Sequence, residues 1–102
     1  MKLRTSKGKL KIEHSIVDGL RPVLAKLVER EEIRSVIPGV IRPVRDAKGA
    51  VVRVRVTVPV TNGWKAIALA AGARQELFIS TTLEREALEG ALAEAGALVD
   101  ER

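Results

Sequence analysis

The chain has 102 residues, 46% apolar and 30% charged, which suits one folded domain with a single core and argues against disorder along its length. It has no cysteine, which excludes disulfides, zinc ribbons, iron–sulfur ligation and thiol catalysis, and fits a reducing, cytoplasmic compartment. The net charge of +5 is segregated: residues 1–11 and 34–65 are strongly basic, while 12–33 and 66–102 carry most of the acids.

Residues 1–8 lack apolar periodicity and read as a basic flexible arm, leaving residues 9–98 as the domain. No apolar run reaches membrane-spanning length, and none follows the basic start as a signal peptide requires, so no membrane partner is expected. From Lys9 the pattern alternates, with Leu10, Ile12, His14 and Ile16 on one face, which predicts a strand. Leu20, Val23, Leu24, Leu27 and Val28 then fall at helical spacing. Because Pro22 is best tolerated in a first turn, the helix is expected to start near Asp18 as N-cap and to run to about Glu31.

Ile33 to Val44 is rich in Ile and Val but broken by Pro38-Gly39 and Pro43, so two short extended pieces at a sheet edge are expected. Asp46-Ala47-Lys48-Gly49 is a turn signal. Val51 to Val60 is the clearest strand, with Val52, Val54, Val56 and Val58 on one face and Arg53, Arg55 and Thr57 on the other. Thr61-Asn62-Gly63 predicts a hairpin turn, with strands following at 64–70 and 75–80. Trp64, directly after the turn, is expected to pack across the hairpin. Thr81-Thr82-Leu83-Glu84 reads as a capping box opening a last helix that Gly96 ends, with a fraying tail beyond. The expected fold is α+β, a mainly antiparallel sheet of four or five strands with two helices on one face.

Several strings occur together: His14-Ser15, Ile37-Pro38-Gly39, Ile41-Arg42-Pro43-Val44, Val54-Arg55-Val56-Thr57-Val58-Pro59, Gly63-Trp64-Lys65, and Gln75-Glu76-Leu77-Phe78-Ile79. Over roughly residues 12–90 the chain resembles a prokaryotic family of unknown function catalogued as metal-binding proteins. The resemblance implies a divalent metal, yet this chain lacks the cysteines that would normally serve one. The candidate ligands are His14, the single histidine, and Asp18 four residues on. His14 also falls in line with Leu10, Ile12 and Ile16, as a hydrogen-bonded histidine at a core edge would.

No nucleophile elbow, paired base or phosphate-cradling glycine loop is present, so an enzyme is not expected and no cofactor is required. The basic segments give the favoured reading. Arg53 and Arg55 project from one strand face, and Arg42, Arg45 and Lys65 come from neighbouring segments, with Lys7 and Lys9 in the arm. Together they form a candidate strip for RNA or DNA phosphates. With Trp64 and Phe78 the only aromatics, base-stacking recognition is not expected. The remaining readings are the metal site and self-assembly, as a homodimer through a sheet edge near Ile37 or through the Ala/Leu stripe of the last helix.

Overall fold

The computed structural model describes residues 4–45 and 51–100 and, in the first helix, the side chains of Ile16 and of residues 18 onward. That helix, α1, spans Arg4–Glu29 without interruption. It replaces both the strand expected over residues 10–16 and the helix start expected near Asp18, and it takes in residues 4–8 of the basic stretch. Ile16 shows why. It lies in phase with Leu20, Val23, Leu24 and Leu27, and all five are buried along one stripe. Burying each contributes about 1.5–3 kcal/mol, against about 3 kcal/mol for a proline inside a helix. Pro22 therefore stays in the interior of α1, on its exposed side, where water can reach the Asp18 carbonyl that lost its donor.

α1 ends in a Schellman arrangement. The Glu32 N–H donates to the Leu27 carbonyl at 2.9 Å and the Glu31 N–H to the Val28 carbonyl at 3.0 Å. Glu31 holds the left-handed position at φ 64°, where glycine is the usual occupant.

The strands are β1 (Ser35–Pro43), β2 (Arg53–Val60), β3 (Gly63–Ala70), β4 (Ala73–Ser80) and, after helix α2 (Arg85–Glu94), the short β5 (Leu98–Val99). They form one sheet in the order β1-β4-β3-β2-β5. Every pairing is antiparallel except β2 with β5, so the sheet is mixed within the expected α+β fold. The parallel pairing arises because α2 carries the chain from β4 across to the far edge. The tail expected to fray thus supplies an edge strand. At the opposite edge β1 keeps its expected place, with a register shift between Pro38 and Ile41. The turn predicted at 46–49 lies outside the described residues.

Alternation along the strands makes two unlike faces. One presents Val54 and Val56, Ala66 and Ala68, and Ala73, Leu77 and Ile79. Against it lie the α1 stripe and Leu88, Ala91 and Leu92 of α2, all in one buried cluster. Trp64, expected to pack across the hairpin, packs against this cluster, and its Nε1 donates to the Leu83 carbonyl at 2.9 Å.

Two local expectations change. Thr81 does not cap α2, which begins four residues later behind Glu84, with no side-chain cap bond. Thr81 is buried and its hydroxyl donates to the Glu32 carbonyl at 2.7 Å, tying the end of β4 to the end of α1. In the β2–β3 turn Asn62 takes the positive φ of 64°, whereas Gly63 does not. Gly63 is required for another reason: a Cβ there would stand 1.9 Å from the Ile79 carbonyl oxygen on the neighbouring strand.

Gly63→Ala should therefore cost about 3 kcal/mol by overpacking against backbone. Glu31→Gly should stabilise by about 1 kcal/mol through relief of the left-handed strain. Urea unfolding of the two variants beside the wild type checks both signs.

Candidate nucleic-acid interface

Among the described residues the second sheet face carries no helix, because both helices pack into the single cluster on the first. Its side chains fall in rows across the strands. One row runs over all five: Arg42 on β1, Arg74 on β4, Leu69 on β3, Arg53 on β2 and Leu98 on β5. The next places Glu76, Ile67 and Arg55 side by side, and a third Ile37, Phe78 and Lys65. Arg42, Arg53, Arg55 and Lys65, expected to share a face, do so. Arg74 joins them, unanticipated, although its period-two spacing from Glu76 and Phe78 was the available signal.

The face is basic but partly neutralised. Arg55 Nη2 donates to Asp100 Oδ2 at 2.9 Å, and Arg53 Nη1 lies 3.7 Å from the same oxygen. Lys65 Nζ stands 3.3 Å from Glu76 Oε2. Asp100 is held in place by backbone, its N–H donating to the Val54 carbonyl at 2.7 Å in continuation of β5. Only 18% of its side chain is exposed. Sequence reasoning missed Asp100 because it set the tail apart from the fold.

Apolar side chains alternate with the charges. Ile67 is only 6% exposed although no described helix covers it. Its cross-strand neighbours are Arg55 and Glu76, whose aliphatic stems suit such cover. The face can therefore offer guanidinium and ammonium groups above a firm apolar floor, which matches a phosphate backbone better than a small-molecule pocket.

Arg45 lies exposed just past β1. Lys7 and Lys9 belong to α1, and their side chains lie outside the described residues. So does that of His14, which the structure places on α1 rather than on a strand, one helical turn before Asp18.

A family model described as "Predicted metal-binding protein (DUF2103)" matches residues 5–95. The chain belongs to this family. No curated protein and no solved structure matches it at a significant level.

Among the described residues no group of three or more His, Cys, Asp or Glu side chains converges on one point. Asp18 is ion-paired with Arg21 on the exposed side of α1, and Glu76 and Asp100 are engaged by cations. A tight metal site normally brings together three or four donors, so the described donor set does not fit one.

Asp100→Asn removes the carboxylate shared by Arg53 and Arg55. It should lower stability by about 1 kcal/mol, as loss of a partly exposed ion pair does. A larger fall at low than at high salt in chemical denaturation would mark the loss as electrostatic.

Proposed function

We propose that this protein is a non-enzymatic binding module that engages the phosphates of RNA or DNA through the open face of its sheet. The observation that carries this reading is the convergence of Arg42, Arg74, Lys65, Arg53 and Arg55 from four strands onto a face that no described helix covers. Among the described residues, two carboxylates oppose these five cations, Glu76 and Asp100, a positive balance. Binding works by counterion release and reads backbone and shape rather than bases, in keeping with a face whose one aromatic is Phe78. We place the protein in the cytoplasm, where the absence of cysteine fits and nucleic acid is accessible. None of the described helices is long and apolar enough to cross a membrane.

Self-assembly is the second reading. It is favoured by edge strand β1, where Ile37 is 61% and Val40 55% exposed. Pro38, Pro43 and the register shift work against pairing of that edge with another strand. The Ala/Leu stripe of α2 is already taken up by the chain's own core through Leu88, Ala91 and Leu92.

Labelled RNA and DNA pools titrated across a salt series test the favoured reading. Contact with three to five phosphates predicts a slope of log K against log salt of about −2 to −4 for single strands. Charge reversal in R53E/R55E should weaken binding at least about tenfold, with the oligomeric state by gel filtration unchanged. D100N should tighten it, because two arginines lose a competing carboxylate. K7E/K9E reports on the basic start of α1 without shortening that helix. Absence of binding at low salt would overturn the reading.

A further inference from the structure

Arg42 and Arg74 stand directly opposite one another in the β1–β4 ladder, on the open face. Opposed residues have Cβ atoms about 4.5–5.5 Å apart, and like charges in that position are destabilising. Each of the other three cations on the face has a carboxylate: Asp100 for Arg53 and Arg55, Glu76 for Lys65. Among the described residues none pairs with Arg42 or Arg74. Arg45, exposed three positions beyond Arg42, adds a third positive charge to this corner of the sheet. The backbone beneath is fastened, since the Val44 N–H donates to the Gly72 carbonyl at 3.1 Å and ties the end of β1 to the β3–β4 turn. Two arginines are thus placed opposite one another on paired strands with no described counter-charge, although each guanidinium has the planar fork that suits a tetrahedral oxyanion.

We propose that Arg42 and Arg74 form an anion site that takes one phosphate group, and that this pair is the primary anchor for a nucleic-acid backbone. The proposal rests on the nucleic-acid reading for the source of the phosphate, but not for the existence of the site. It also sets a direction. From the anchor, the row through Leu69 leads the backbone across the strands toward Arg53, where it meets the carboxylate of Asp100 shared with Arg55.

Two measurements on the full chain and its R42Q and R74Q variants separate the site from the reading. The first is thermal unfolding in inorganic phosphate against chloride at equal ionic strength. In low-salt chloride, R74Q should melt at or above the wild type, because a like-charge contact is gone. Phosphate should raise the wild-type midpoint by about 5 °C, and the variants should lose most of that rise. General exclusion of phosphate from protein surfaces acts on all three chains alike and cancels in the comparison. The second measurement is the RNA titration, in which R42Q/R74Q should lose about tenfold in affinity and flatten the salt slope by about 1.4.

Equal phosphate stabilisation of wild type and variants, or an R74Q that melts well below the wild type, would overturn the anion site even where RNA still binds. A phosphate effect confined to the wild type, with no RNA bound at low salt, would establish the site and overturn the nucleic-acid source. RNA binding unchanged in R42Q/R74Q would overturn the anchor.

Discussion

The fold depends on one contact, the apolar stripe of α1 against a single sheet face. Ile16, Leu20, Val23, Leu24 and Leu27 cover the inward valines, alanines and leucine of β2, β3 and β4, and α2 fills the rest of that layer. A lone sheet would leave two faces to solvent, and period-two alternation lets only one of them be apolar. Covering that face commits the other to water. Its outward positions hold arginine, lysine and glutamate, with aliphatic residues beneath, and any function of the sheet surface has to be built there.

How much of this was legible in the sequence follows from which signals were local. The Val/Arg alternation of β2 stated both the strand and its two faces, and Gly96 marked the end of α2 through its positive φ of 114°. The edge position of β1 followed from two prolines that cannot donate to a central ladder. The first helix was misread because Leu10, Ile12, His14 and Ile16 satisfy period two as well as a fragment of period 3.6, and because Pro22 argued for a late start. Burial of the long stripe outweighs that proline, and no local rule weighs the two. Thr81 failed in the same way. Its capping sequence is present, but the hydroxyl donates to a carbonyl 49 positions away and accepts from the Leu83 N–H ahead of α2 rather than from the helix's own first turn.

The candidate site was half legible. Strand alternation placed Arg53 and Arg55 on one face, and strand pairing was needed to bring Arg42, Lys65 and Arg74 beside them. Asp100 was out of reach of local patterning, since its role comes from a crossover that returns the chain to the edge of β2. The family description points to metal, whereas among the described residues the carboxylates nearest the sheet are neutralised by cations rather than gathered around a cation site. What the geometry concentrates is positive charge, on the face that packing leaves bare.

Nuclear magnetic resonance titration of the labelled chain with a short RNA reports that face residue by residue. Shifts centred on Arg42, Arg53, Arg55, Lys65 and Arg74, with the inward residues of α1 and α2 unmoved, are the result the account predicts. Shifts confined to the groove of Leu24, Val28, Val36 and Pro38 between α1 and β1, or no shifts at low salt, would contradict it.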